Sequence, residues 1–354
     1  MFSGTIWGMK KETKNMNTPP FEINDNIINL VAEINNKIGK LETNIDNKKR
    51  LYLRKASKIK SVNSSCAIEA NTLTEQEVES IINGKKIIAP PNEIIEVKNA
   101  YEAYVKMTEY KPYDVKSFLK AHKYLTNNLI KEAGKFRSGD VAVYEGGAPI
   151  HIGARPQFVN GLVADLFKWA SGSGLNPLIK ACVIHYEIET IHPFSDGNGR
   201  IGRLWQSVIL YNYNKLFELI PAETLVYENQ RRYYDAIEQS RKINSSTPFI
   251  EYMLTMIAKT IDSINGNIST LNSIKNEYLK HLTKNEKAIL QVILNNFNIS
   301  DDITADKIME KINKAGSSVR VYFKSFTDKG IFIAIGEKKG RRYKLNKDIF
   351  SDSI

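Results

Sequence analysis

Two unlike segments, joined without a break, constrain this chain more than anything else in it. An apolar run of helical character, "PLIKACVIHYEIETI" (177–191), passes directly into "HPFSDGNGR" (192–200). Those nine positions hold a histidine, an acid, two glycines, an asparagine and an arginine. A loop that merely joined two helices would not need that chemistry. Pro193 and Phe194 end the first helix and anchor the turn in the core. Gly197 and Gly199 permit close backbone approach and unusual dihedrals. The next run, "RIGRLWQSVILYNY", is helical again, so the loop's N–H groups fall at a helix N-terminus, where free donors and the helix dipole favour an anion. Arg200 and Arg203, three apart, share a face of that helix. Asp196 has the chemistry to hold Mg2+ beside a phosphate. His192 is the one side chain here able to accept a proton near neutral pH. A base, a metal carboxylate and an anion cradle point to phosphoryl or nucleotidyl chemistry.

Three plainer readings compete. "GNGRIG" matches G-x-G-x-x-G at Gly197, Gly199 and Gly202, but a helix rather than a strand precedes it, so the dinucleotide context fails. "DGNG" begins like a calcium loop, yet Ile201 stands where the required glycine would be. A purely structural glycine turn leaves the histidine, the acid and both arginines unexplained.

The 354 residues suggest two or three domains. With 42% hydrophobic and 25% charged residues, a packed globular protein is expected. The net charge of +11 suits acidic partners such as nucleic acid, nucleotides or an anionic surface; a solubilising Lys-rich surface explains it equally well. Cys66 and Cys182 make neither a disulfide framework nor a metal cluster and are expected as buried thiols in a reducing compartment. The N-terminus lacks the order of a signal peptide, and no window approaches the ~18 apolar residues of a membrane span. A cytoplasmic protein with no membrane association is expected.

Along the chain, residues 1–18 read as a polar tail. From Ile23 to about Lys60 apolar residues recur every three or four positions, an amphipathic helix. Thr74 with Glu77 three residues on has the capping-box form, predicting a helix from there to Gly84. Further helices are predicted after "APP" and over 114–133, 158–171, 176–191, 200–214, 229–242 and roughly 248–280. Phe136–Val159 breaks the rhythm and reads as a short hairpin centred on "EGGAP". The last segment offers three short helices and two strands joined by a basic turn, the pattern of a winged helix-turn-helix. Residues 275–354 carry 16 Lys+Arg against 10 Asp+Glu, so over half of the excess charge lies in under a quarter of the chain.

His192 to Arg200, with Arg203 beyond, resembles the H-P-F-x-D-G-N-G-R-x-x-R signature of the Fic (filamentation induced by cAMP) family. "PPFEINDNIINLVAEI" looks like that family's N-terminal helical segment, and the Phe136–Val159 hairpin sits where the family has its target-docking flap, so the likeness covers roughly residues 18–350. It implies a mainly α fold: a Fic helical bundle with a small β-hairpin flap, plus a C-terminal winged helix-turn-helix. The expected domains are a tail (1–18), an N-terminal helical segment (19–110), a catalytic core (111–280) and the winged helix (281–354).

Most members transfer AMP from ATP to a protein hydroxyl. Carried over, the resemblance makes His192 the general base toward a Ser, Thr or Tyr hydroxyl of a target protein or of the chain itself. Asp196 would hold Mg2+, and Asn198, Arg200 and the Gly197 and Gly199 amides would neutralise developing charge. Arg203 would meet the γ-phosphate of ATP. Tyr233 and Tyr234 resemble the family's adenine-side tyrosines. His185 reads as a structural histidine and His151 as an exposed histidine of the flap.

"SSCAIEAN" (64–71) resembles the family's inhibitory motif [S/T]-x-x-x-E-[G/N], with Ser65 and Glu69 in the key places, Ala70 where glycine is preferred, and Asn71 next. Taken alone it is a polar turn or a short helix. The resemblance implies that Glu69 pairs with Arg203, takes the place of the γ-phosphate and misplaces ATP; in some relatives the same glutamate helps to remove AMP. The alternative is a DNA-binding regulator, with Arg320, Lys324, Lys338, Lys339, Arg341 and Arg342 contacting phosphates or base edges. A third option is transfer of UMP, phosphocholine or phosphate instead of AMP. A homodimer is compatible with all of these.

Overall fold

In the computed structural model the described residues are 18–45, 47–145, 148–297, 301–312, 316–336 and 341–346. The polar N-terminal tail therefore lies outside them, except for Thr18. The chain divides into two compact units, one of residues up to Glu42 with Arg54–Ile261, the other of Thr43–Leu53 with Asp262–Ile354. The mainly helical fold read from the sequence is the one found, with two small antiparallel hairpins as the β structure among the described residues.

The long amphipathic pattern at the N-terminus is two helices, α1 (Asp25–Asn44) and α2 (Asn47–Ile68), rather than one. The break falls between Asn44 and Asn47, a residue type whose side chain competes with helical hydrogen bonds for the backbone. Helix α1 buries Ile27, Leu30, Ile34, Ile38 and Leu41, the stripe that its spacing predicts. The capping box is present: Thr74 accepts from the Glu77 amide and the Glu77 carboxylate accepts from the Thr74 amide, opening α3 (Glu75–Ile82). Helix α4 (Pro91–Val105) starts on a proline, whose missing donor would be unsatisfied there anyway. Helix α5 (Val115–Thr126) is capped by Asp114 and stops sooner than the pattern suggested.

The hairpin is narrower than its predicted span. Strand β1 (Ala142–Glu145) pairs with β2 (Ala148–Ile152) in the register Ala142–Ile152 and Val143–His151, with a bulge before Tyr144. Its tip, residues 146–147, is outside the described residues. Helices α6 (Pro156–Gly172), α7 (Pro177–Ile191), α8 (Asn198–Tyr213), α9 (Ala222–Glu228), α10 (Gln230–Lys242) and α11 (Thr247–Lys280) follow. Helix α7 is buried along nearly its whole length, with the polar side chains of Lys180, His185 and Glu187 buried among its apolar ones. Trp205 of α8 is fully buried, with the rings of Phe118 and Phe167 at 5.0 and 5.8 Å. Phe194 joins that cluster 5.4 Å from Phe118, so the polar loop is pinned by an aromatic plug. Emptying such a site costs about 3–5 kcal/mol.

The second unit contains α12 (Lys284–Asn296), α13 (Ala305–Ile312), α14 (Gly316–Asp328) and the hairpin β3 (Phe332–Ile335) with β4 (Arg342–Leu345). This is the element order predicted for a winged helix-turn-helix. Ile303 adds an antiparallel bridge to Tyr343. Ile289, Ile293, Val319, Phe323, Phe326 and Phe332 are among the residues of its own core. No helix among the described residues is long and apolar enough to cross a membrane.

Candidate active site

The loop between α7 and α8 is built to stay open. His192 ends α7 with φ 53°, in the left-handed region, where histidine is tolerated better than most residues. Arg137, buried just before β1, holds that bend by donating from Nε to the His192 carbonyl at 2.7 Å and from Nη2 to the Ala154 carbonyl, while its own amide donates to the Pro193 carbonyl. Gly197 begins α8 with φ 83°, and no side chain caps that helix. The first N–H groups of α8 are therefore the free donors that an anion would use.

Asn198 serves the loop's own backbone. Its carboxamide oxygen accepts from the Phe194 amide and its nitrogen donates to the Phe194 carbonyl, both at 2.9 Å. His122 supports the other side: its Nδ1 accepts from the Gly134 amide, so the proton sits on Nε2, which donates to the Asp196 carbonyl at 2.9 Å. Burial holds His122 down at about 4, keeping it neutral. Its ring stacks on Phe194 at 3.5 Å.

Arg200 is buried and spans two acids, Glu96 of α4 through Nη1 and Asp196 through Nη2 at 3.0 Å. Burial raises the Glu96 pKa, and Arg200 and the Asn71 side chain counter that shift. Arg203 is buried too. Its Nε donates to the Ser65 hydroxyl at 3.1 Å, and its Nη2 donates to the Ser65 carbonyl at 3.0 Å and to Glu69 Oε1 at 2.7 Å. Burial alone would lower the Arg203 pKa, but Glu69 holds it above its ordinary value. A Cβ added at position 199 would collide with Glu69 Oε1. The Glu69 carboxylate thus lies directly over the uncapped start of α8.

Glu69 is presented by the end of α2. The Asn71 amide donates to the Cys66 carbonyl and the Ala70 amide to the Ala67 carbonyl, at 3.2 and 3.0 Å. This is a Schellman turn, and Ala70 occupies its left-handed position with φ 69°, where glycine is usual. Asn71 donates to Glu96 at 2.7 Å, Thr72 donates twice to Glu93, and Gln230 donates to the Ile68 carbonyl. The segment read as a polar turn or short helix is both: a helix end and a braced turn.

His192 is neutral at neutral pH. Burial lowers its pKa, the Glu189 backbone opposes that shift, and the nearby Arg137 and Arg241 reinforce it. The histidine of the flap departs from expectation. His151 is half-buried, bonds the Thr190 carbonyl through Nε2 at 2.8 Å and is held near 4 by burial. Its ring lies 6.2 Å from that of His192. His185 is the structural histidine expected, fully buried between Gln206 and the Tyr233 hydroxyl. The two tyrosines part company: Tyr233 is 1% exposed and belongs to the core, whereas Tyr234 is 49% exposed. Of the two, Tyr234 is the one that presents its ring to solvent.

The sequence reading missed Glu96, Arg137 and His122, which are far away along the chain and carry no local signature. Among the described residues, no group of three His, Cys, Asp or Glu converges to hold a metal on its own. The Asp196 side chain is 57% exposed, and a single exposed carboxylate suits an ion whose other ligands are phosphate oxygens and water.

Comparison with known proteins bears on this geometry. The sequence profile of the Fic/DOC family matches residues 112–210. The crystal structure of a Fic family protein from Desulfovibrio desulfuricans G20 superposes with a TM-score of 0.70 at 30% identity, over 93% of this chain and 98% of that one. The protein adenylyltransferase Fic of Culex quinquefasciatus is 28% identical over 225 residues, covering 59% of this chain and 43% of that protein. The protein of the same name from Nematostella vectensis is 26% identical over 231 residues, covering 62% and 51%. The chain thus spans about half the length of the curated relatives it matches.

Proposed function

The chain belongs to the Fic/DOC family, and on that premise we propose that it is a protein adenylyltransferase, a nucleotidyltransferase moving AMP from ATP to a Ser, Thr or Tyr hydroxyl of a target protein or of itself. One observation carries the reading. An uncapped helix start, two buried arginines and a neutral histidine surround a space across which Glu69 lies. His192 takes the hydroxyl proton, the freed oxygen attacks the α-phosphorus, and pyrophosphate leaves. The α8 amides and Arg200 meet charge on the phosphates, and Arg203 meets the γ-phosphate once Glu69 has moved. Asn198 acts indirectly, by holding the loop's shape. Asp196 would hold the Mg2+ that arrives with the nucleotide and neutralises its phosphates. Tyr234 offers an aromatic face for the base.

Glu69 is the brake in this reading. While it holds Arg203, the γ-phosphate has no counter-charge and the α-phosphate is not in line; misplacement by about 1 Å costs on the order of 10²-fold in rate. The target docks along the flap, where Ile150 and Ile152 are 50% and 67% exposed; Phe158, on α6, is 57% exposed. The test is transfer from ATP labelled on the α-phosphate. Glu69→Gly should raise self-labelling about 10²-fold, and adding His192→Ala should remove about 10²–10⁴-fold of it. Because His192 is held below 6.5, labelling by Glu69→Gly should stay level through neutrality and fall only at lower pH. A folded Glu69→Gly protein that takes no label overturns the proposal.

A second reading rests on the other unit. Arg320 and Lys324, on α14, and Arg341 are exposed, as DNA-phosphate contacts would be. Arg342 is tied to Asp302 at 2.6 Å, and Lys338 and Lys339 lie outside the described residues. Binding of the full chain to duplex DNA that weakens steeply with salt, and weakens again in Arg320→Ala, would support it.

A further inference from the structure

A cavity of about 180 Å³ lies on the face of α2 that precedes the Glu69 turn, and it is not part of the space described above. Apolar atoms of Val105, Phe217 and Ile220 line it, together with Arg54, Lys58 and Glu218. Arg54 already pairs with Glu218 at 2.8 Å. Lys58 is half-buried and makes no hydrogen bond or ion pair among the described residues; burial and the Arg54 guanidinium push its pKa down, and the Glu218 carboxylate opposes them. The charged lining is thus two cations, Arg54 and Lys58, against the single carboxylate of Glu218, beside an apolar wall. Val105 is 43% exposed, which puts the cavity's mouth at the surface. A dry cavity of about 150 Å³ accepts benzene, so the room suffices for a short hydrocarbon or a single ring.

From these observations we propose that the cavity binds a small monocarboxylate, its charge on Lys58 and its apolar body against Phe217 and Ile220, and that occupancy favours the arrangement in which Glu69 holds Arg203. The regulatory half rests on the reading of Glu69 as a brake. The link is physical. Lys58, Ser61 and Ser65 recur at helical spacing along α2, and Ser65 is bonded to Arg203. Ser61 and Tyr104 of the cavity wall both donate to Glu223, as does Ser207, one turn beyond Arg203 on α8. A ligand that fits the cavity while α2 and α8 are tied in this way stabilises the tied state, because a ligand shifts an equilibrium by its differential affinity for the two states.

Reciprocity makes the proposal testable without any measurement of transfer. Hexanoate, benzoate and the uncharged hexanamide are titrated into the full chain, with binding followed by nuclear magnetic resonance. Hexanoate or benzoate should bind saturably, hexanamide at least tenfold more weakly than hexanoate. Lys58→Gln should weaken the acids at least tenfold, and Val105→Trp, which fills the mouth without touching charge, should abolish binding. Glu69→Gly should weaken binding several-fold, since it cuts one tie between α2 and α8. Circular dichroism checks that each variant folds. Equal binding of acid and amide, native affinity in Lys58→Gln, or no saturable binding of either acid overturns the site. Native affinity in Glu69→Gly overturns its link to the brake. None of these readings involves ATP, so a chain that transfers no AMP would fail the proposed function and leave this test intact.

Discussion

Glu69 and Glu286 are both carboxylates closed onto a cation with a serine beside it, one in each unit, yet they are held in opposite ways. Glu286 is saturated. It accepts from the Thr283 amide at 2.7 Å, from Lys329 at 2.7 Å and from the Ser325 hydroxyl, and it completes the capping box of α12. Burial would raise its pKa, but those donors pull it down to about 2. Among the described residues the Glu69 side chain is held once, through Oε1 to Arg203, by a partner 134 residues away, and it is 33% exposed. Arg203 keeps two bonds to Ser65 without it. A carboxylate that caps a helix cannot leave without fraying it. One that rests on an arginine already anchored elsewhere can, and an anion of similar charge can take its place.

The strongest way to break this comparison is to remove each acid in turn. Glu69→Gly should raise self-labelling about 10²-fold and lower stability by no more than about 1–3 kcal/mol, because Ser65 still satisfies part of the guanidinium. ATP should then raise the melting temperature of Glu69→Gly more than that of the native chain, by supplying the missing charge. Stability and labelling falling together would instead make Glu69 a staple like Glu286.

Glu286→Ala is the counterpart. It removes a cap and strands Lys329, so the second unit should lose about 2–3 kcal/mol, seen as an earlier unfolding step, with self-labelling of Glu69→Gly unaffected by the added change. The pH dependence follows from sign. Glu286's folded pKa lies below its ordinary value of 4.5, so its contribution is complete above 4.5 and is lost as pH falls toward about 2. That contribution is about 2 kcal/mol, less than the shift alone implies, since Lys329 is partly exposed. Acid titration of the native chain and Glu286→Ala should converge over that window; parallel curves would remove Glu286 from the account.

The two acids were not equally legible in the sequence. Thr283 and Glu286 form the same local capping signal as Thr74 and Glu77, although a capping box is predicted from sequence only at the latter pair. Glu69 was legible only through its resemblance to a motif. The loop from His192 to Arg203 could be read directly because its chemistry is contiguous. Its braces could not: Glu96 meets Arg200 across 104 residues, His122 meets Asp196 across 74 and Arg137 meets His192 across 55. Nothing in local spacing marks them, because helix packing brings them together. Tyr233 and Tyr234 show the limit at its smallest, since neighbours on a helix point about 100° apart, and only the packing decides which is core.

Ala70 gives the smallest effect and the sharpest one. Its left-handed φ of 69° places a Cβ where L-residues are disfavoured by about 1–2 kcal/mol. Glycine would relieve that strain but would loosen the unfolded chain by about 0.5–1 kcal/mol, so Ala70→Gly should stabilise the first unit by about 0.5–1 kcal/mol, as a higher melting temperature. The turn that presents Glu69 is bonded through its backbone and through Asn71 and Thr72, none of which the change removes. Self-labelling should therefore stay low, at or under the native level. A rise would mean that the strain in Ala70 helps to hold Glu69 on Arg203, and that the brake depends on the conformation of its turn as well as on the ion pair. A fall in stability would mean that the left-handed alanine is compensated by contacts of its methyl group, and glycine would then be the wrong residue for this turn despite its usual place there.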